Sequence, residues 1–189
     1  VKNFEIIMDQ VEWADAVLIG PGLGTNKETT DLLTMIYENI NKPLVVDADG
    51  LNPFYKNRDL LKKLQCVLTP HHGELSRLLS ISLGELKEKL VNHMEGFASS
   101  YPSVLIAKQP SSIIIHNISG YINTSGNPGL ATAGTGDVLS GMVTAFIAQG
   151  YNLVESSCIS TYIHGYVADK MSKKISERGL IASDLLLEI

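Results

Sequence analysis

Four short apolar runs constrain this chain more than any other feature: Ala16 to Ile19, Leu44 to Val46, Cys66 to Leu68 and Val104 to Ala107. Each is continuously apolar rather than alternating, as a parallel strand must be when helices cover both faces of its sheet. Each also ends in a polar or glycine-rich turn. Between the runs, Leu32, Leu33, Ile36, Tyr37 and Ile40 recur at helical spacing, as do Leu86, Leu90, Met94 and Phe97. These segments are expected to be covering helices. After Ala107 the rhythm changes, because Ser112 to His116 and Tyr121 to Asn123 are separated by Asn117, Ser119 and Gly120, which predicts an antiparallel hairpin. Gly136 to Gln149 is apolar almost all round its circumference, the mark of a helix buried on most faces, and a second long helix is expected from Leu153 to Lys173. The expected fold is α/β, a mostly parallel sheet flanked by helices with an antiparallel hairpin. With no internal repeat or linker, residues 1–189 read as one domain.

Composition narrows the function classes. Fifteen Lys and Arg against 20 Asp and Glu give a net charge of −5, and the basic residues are scattered, so a nucleic-acid partner is not expected. No run approaches the length of a membrane helix, and Val1 to Ile7 lacks the order of a signal peptide. A soluble, cytoplasmic protein with no membrane partner is the expectation. Cys66 and Cys158 lie in apolar settings and read as packing residues.

In an open α/β sheet, ligands bind beyond the carboxyl ends of the strands. The first strand there runs into Gly20-Pro21-Gly22-Leu23-Gly24, which is either a tight turn or a place for backbone to approach a ligand closely. The second runs into Asp47-Ala48-Asp49, two carboxylates that suit a metal or phosphate shell, although Asp49 reads better as a helix N-cap. The third runs into His71-His72-Gly73-Glu74. Neighbouring residues in a turn point apart, so zinc is disfavoured, and Glu74 better suits a carboxylate that holds Mg²⁺ through water.

The strongest local signal is Asn127 to Asp137, NPGLATAGTGD, followed at once by the apolar helix. Glycines let the N–H groups turn inward and a helix start adds positive potential, so the segment should bind an anion such as phosphate. Asp137 is either a partner of the helix dipole or a general base that deprotonates a hydroxyl attacking phosphorus. Its place beside the anion-binding turn favours the base. No Gly-Lys-Ser/Thr follows, so this is not a Walker loop.

GPGLG at 20–24, VVDADGLN at 45–52, LTPHHGE at 68–74, GNPGLATAGTGDVLSG at 126–141 and GLIASDLL at 179–186 occur in the order in which the ADP- or ATP-dependent NAD(P)H-hydrate dehydratases carry similar segments. The chain resembles that family, whose fold is ribokinase-like. The resemblance implies that the hydroxyl of hydrated NADH or NADPH is phosphorylated by ADP or ATP, with Mg²⁺, after which phosphate leaves and the dihydronicotinamide returns. It implies Asp137 as the base and Gly134, Thr135 and Gly136 as the anion hole. Lys108, Gln109, Pro110, Ser111, Ser112 and Gly136 are implied as nucleotide contacts, and Gly22, Gly24, His71, Asn127 and Asp137 as contacts of the hydrate. Glu74 stands at the metal-water position, and a homo-oligomer, often a tetramer, is implied.

Three departures accompany the likeness. Gln109 and Ser112 stand where the family has Gly and Thr, and His72 stands where it has Pro. The chain starts at Val1 without the family's preceding strands, helices and Gly-Ala segment, so a fragment or processed product is expected. A ribokinase-like kinase of a thiazole or pyrimidine alcohol, and an inactive nucleotide-binding module, are the competing readings.

Overall fold

The runs Val17–Ile19 (β1), Leu44–Val46 (β2), Cys66–Leu68 (β3) and Val104–Ala107 (β4) lie side by side in parallel. Ile113–His116 (β5) and Ser119–Ile122 (β6) extend the same sheet antiparallel, so strand order follows chain order. This architecture comes from a computed structural model that describes residues 2–189. The hairpin turns on Asn117 and Ile118, with Asn117 at φ +51°. Asn tolerates the left-handed conformation that a two-residue hairpin loop demands, so Ser119 and Gly120 fall in β6 rather than in the turn.

Side chains of each strand alternate between two cores. Leu44, Val46, Cys66, Leu68, Leu105, Ala107 and Ile115 enter one; Val45, Val67, Val104, Ile106 and Ile114 enter the other. The first core is closed by the helices that connect the strands. Among them are Lys27–Asn39 (α2), Asn52–Lys56 (α3), His72–Leu79 (α4), Leu83–Glu88 (α5) and Leu90–Ser100 (α6), which contribute Leu33, Phe54, Leu75, Leu86 and Met94. Strands added in sequence by right-handed crossovers put every connecting helix on one face. The opposite face needs a separate cover, and Thr135–Ala148 (α7) and Leu153–Ile175 (α8) supply it through Leu139, Val143 and Ile147, with Val154 and Cys158 at the margin. Burial of such a side chain stabilises by roughly 1.5–3 kcal/mol, which explains why α7 is apolar on most of its surface.

Lys2–Trp13 (α1) and Ala182–Leu185 (α9) complete the helices among the described residues. The segment around Leu86 to Phe97, expected as one helix, is two. Lys89 leaves helical dihedrals at φ −130° and ψ 34°, while Leu86, Met94 and Phe97 on either side still face one core. Periodicity reports the shared buried face, not the backbone break. Cys66 is fully buried with its thiol donating to Ser103 Oγ at 3.2 Å, and Cys158 packs beside the second core, as expected of packing residues.

Candidate active site

Every strand-end segment singled out by the sequence gathers at the carboxyl edge of the parallel strands, where the start of α7 meets them. Gly20 shows how tightly this edge is built. A Cβ there would stand 1.6 Å from the Asp47 carbonyl oxygen, at a φ of +140°, so the crossing of the first two strand ends requires glycine. Gly22 and Gly24 lie further out and are exposed.

The two aspartates after β2 divide the work differently from the expectation. Asp47, not Asp49, is the N-cap, its Oδ1 accepting from Ala48 N at 2.8 Å. Asp49 sits inside the short 3₁₀ turn Ala48–Leu51 and its Oδ2 accepts from Gly24 N at 2.9 Å, tying the first loop to the second. The correction has a simple cause: a carboxylate in a helix's first turn can serve a distant amide when a neighbouring residue already caps. Asp47 also takes the ammonium of Lys108 at 2.6 Å, although it is only 1% exposed. Burying that carboxylate requires such a partner.

Lys108 is placed by strand pairing. Its N–H donates to Pro70 O at 2.9 Å, extending the β3–β4 ladder past the strands. Its Nζ then lies under the first turn of α7, 3.2 Å from where a Cβ of Gly136 would stand. The helix start itself is made by Gly134, an N-cap at φ +87° with no side-chain hydrogen bond. The Thr135 hydroxyl lies within hydrogen-bond distance of the carbonyls of Leu130 and Thr132, at 2.7 and 2.8 Å, and so locks the turn. Thr135 N–H is directed back to Thr132 O at 3.4 Å, whereas those of Gly136 and Asp137 have no acceptor among the described residues. Two free amides at a helix start, with the Lys108 ammonium close beside Gly136, make a ready place for an anion. The Asp137 carboxylate, exposed at the third helical position, makes no hydrogen bond or ion pair among the described residues. It is open to accept a proton.

A cavity of about 690 Å³ lies against this turn. Its walls include His71, His72 and the Lys108–Pro110 segment with Ser112, the loop 126–128, Thr135 and Gly136, and Thr161, His164 and Gly165 of α8. A volume of this order suits a nucleotide-sized ligand. Ser111, Gly134 and Asp137 are not in its wall, and neither are the two exposed glycines of the first loop. Asn127 is in the wall, but its side-chain amide is largely committed: Oδ1 accepts from Gly129 N at 3.0 Å and Nδ2 donates to Asp169 Oδ1 at 3.0 Å.

His71 and Glu74 form a reciprocal cap at the start of α4. The imidazole Nδ1 accepts from Gly73 N and Glu74 N, at 2.9 and 3.3 Å, and Glu74 Oε2 accepts from His71 N at 2.8 Å. Glu74 Oε1 lies 3.3 Å from His71 Nε2. The carboxylate thus has one oxygen fully used, and no group of three His, Cys, Asp or Glu able to hold a metal occurs among the described residues. His72 and Gln109, two departures noted in the sequence, meet: His72 Nε2 lies 3.0 Å from Gln109 Oε1, and Gln109 Nε2 donates to Ser111 O at 2.9 Å.

Sequence reasoning missed His164. Its Nε2 donates to the Thr135 carbonyl at 2.9 Å, 29 residues away, bracing the first turn of α7 from α8. Burial pushes its imidazole down to about 4, against the opposing bond to Thr135 and with the help of the Lys108 charge. The unfolded chain binds a proton near pH 6.5 that the folded one refuses until about pH 4, so stability from this group is present above 6.5 and lost as pH falls towards 4. The full loss is about 3 kcal/mol. Melting temperature followed from pH 7.5 to 5 should fall less steeply for His164→Gln than for the parent; parallel curves would remove His164 from the acid response.

Comparisons with known proteins point to one family. The family model described as NAD(P)H-hydrate dehydratase matches residues 1–189. The bifunctional NAD(P)H-hydrate repair enzyme Nnr of Dictyoglomus turgidum is 38% identical over 190 residues, covering 97% of this chain and 36% of its own length. The ADP-dependent (S)-NAD(P)H-hydrate dehydratase of Staphylococcus aureus is 29% identical, covering 92% of this chain and 62% of its own. The ADP/ATP-dependent NAD(P)H-hydrate dehydratase of Bacillus subtilis, co-crystallised with ATP and Mg²⁺, superposes with a TM-score of 0.78 at 26% identity, covering 90% of this chain and 61% of that one. The chain spans about a third of the bifunctional relatives it matches. Its mostly parallel sheet, with one antiparallel hairpin and flanking helices, is the ribokinase-like fold. Matched from its first residue to its last, the chain belongs to the NAD(P)H-hydrate dehydratase family.

Proposed function

We propose that this domain restores NADH or NADPH from the hydrated cofactor at the expense of ADP or ATP. The observation that carries the proposal is the start of α7, where the unclaimed N–H groups of Gly136 and Asp137 stand beside the Lys108 ammonium and an open carboxylate. The terminal phosphoryl group of a nucleotide lying in the cavity meets those donors. The hydrate hydroxyl attacks phosphorus from the exposed side, giving its proton to Asp137 as the O–P bond forms and the bond to the nucleotide leaving oxygen breaks. Charge growing on the phosphoryl oxygens is stabilised by the amides and the helix start. The phosphorylated carbon then loses inorganic phosphate, an adjacent ring carbon loses a proton, and the ring double bond returns.

Lys108 and the Gln109–Ser112 segment hold the nucleotide phosphates and nucleoside, while Gly22, Gly24 and His71 face the hydrate. Glu74 is the carboxylate that would hold a nucleotide-bound Mg²⁺ through water, and the ion would neutralise phosphate charge there; Oε1 would have to be shared with His71 Nε2, since Oε2 already accepts from His71 N. Two unpaired cysteines suit the reducing cytoplasm. The exposed Tyr162 and Tyr166 of α8 and Ile122 of β6 suit a homo-oligomer.

Hydrated NADH with Mg²⁺ and either nucleotide should regenerate the dihydronicotinamide absorbance. A stable phosphate ester without that absorbance would identify a kinase instead, and nucleotide binding without any product would identify an inactive module. No helix among the described residues is long and apolar enough to cross a membrane.

A further inference from the structure

We infer that Asp169 is a positioning residue for the phosphate-binding turn, acting through Asn127. Asp169 lies on α8, outside the segments that carry the family likeness. Its Oδ2 accepts from Gly126 N at 2.8 Å and its Oδ1 from Asn127 Nδ2 at 3.0 Å. Asn127 passes the constraint on, because its Oδ1 accepts from Gly129 N at 3.0 Å and starts the 3₁₀ turn Pro128–Ala131. From that turn the carbonyl of Leu130, together with that of Thr132, meets the Thr135 hydroxyl, and Thr135 begins α7. One carboxylate thus fixes a connected path from α8 through the cavity wall to the anion-binding amides.

The chemistry makes the path directional. A carboxylate only accepts, so it forces Asn127 to present its amide nitrogen and leaves the amide oxygen for Gly129. In Asp169→Asn the new amide oxygen can still accept from Gly126 N, but the new amide nitrogen then faces the nitrogen of Asn127. One amide has to turn over, giving up either Gly126 or Gly129. Asn127→Asp sets a second carboxylate against that of Asp169 and breaks the same link. Making both substitutions together restores it with the roles reversed. The amide now at position 169 donates to the carboxylate now at position 127, whose other oxygen accepts from Gly129 N, and the amide oxygen accepts from Gly126 N. A residue that merely packs has no reason to prefer the swapped pair over either single variant.

The inference rests on the dehydratase reading for its catalytic consequence but not for its geometry, so both are measured. Asp169→Asn and Asn127→Asp should each raise KM for the nucleotide about ten-fold, the cost of one broken link, with a smaller change in kcat. In the double variant the KM for the nucleotide, though not that for the hydrate, which Asn127 is implied to contact, should return to within about three-fold of the parent. On the same proteins, without ligand, exchange of the Gly126 and Gly129 amides should quicken in the single variants and slow again in the double. ADP affinity by calorimetry should follow the same order. Singles that keep the parent's KM and exchange, or a double variant as impaired as the singles, would overturn the assignment. If the parent fails to regenerate dihydronicotinamide, the proposed function fails, and the exchange pattern still decides the role of Asp169.

Discussion

Asp137→Asn should lower turnover by about 10²- to 10⁴-fold, the contribution of a positioned general base, while the protein stays folded and keeps its nucleotide. The substitution preserves size and helix position but removes the basic oxygen and its charge. The carboxylate is exposed and takes part in no hydrogen bond or ion pair among the described residues, so its loss breaks no contact of the fold. Nucleotide affinity should hold or improve, because a negative charge beside phosphates has gone. If Asp137 serves only the helix dipole, the variant instead loses about 0.3–1 kcal/mol of stability with little change in rate. Turnover and melting temperature measured on one preparation separate the two roles. A rate within about three-fold of the parent is far below what a general base contributes and would end the base assignment.

Lys108→Met should destabilise the protein strongly. It leaves the Asp47 carboxylate, 1% exposed, without the ammonium that now sits 2.6 Å away. Removing one partner of a buried pair costs about 3–5 kcal/mol, and the partial exposure of Lys108 places this case at the lower end. For a chain of this size the melting temperature should fall by about 10 °C. Adding Asp47→Asn removes the stranded charge and should recover much of the loss, yet neither variant should regain nucleotide affinity, because the cation under Gly136 is missing. Recovery of stability without recovery of binding is the signature. A single variant that melts with the parent would mean that Asp47 finds its compensation elsewhere.

The legible parts of the molecule are those whose causes are local. The four apolar runs became the four parallel strands because continuous burial on two faces is written in consecutive residues. The glycine-rich start of α7 was visible for the same reason, since an N-cap at positive φ and free amides need only the residues at hand. What was not legible depends on distant partners. Asp47 and Asp49 look alike in sequence, and their roles are set by Lys108, 61 residues on, and Gly24, 25 residues back. His164 and Asp169 sit in a segment that the sequence marks only as a long helix, and their meaning comes from Thr135 and from residues 126 and 127. Lys108 was reached only through family likeness. The link between His72 and Gln109 needed the β3 and β4 ends to be adjacent, which no pattern within either segment states.

The laying down of strands in chain order has a consequence for biosynthesis. When residues up to about 130 have left the ribosome, one face of the sheet already has all its connecting helices, and the other presents Val45, Val67, Val104, Ile106 and Ile114 to water. That stripe stays uncovered until α7 and α8 arrive. Because α7 brings both the missing cover and the anion-binding amides, the nascent polypeptide acquires a closed core and a competent phosphate turn in the same late event, so an interrupted chain is left both sticky and inert.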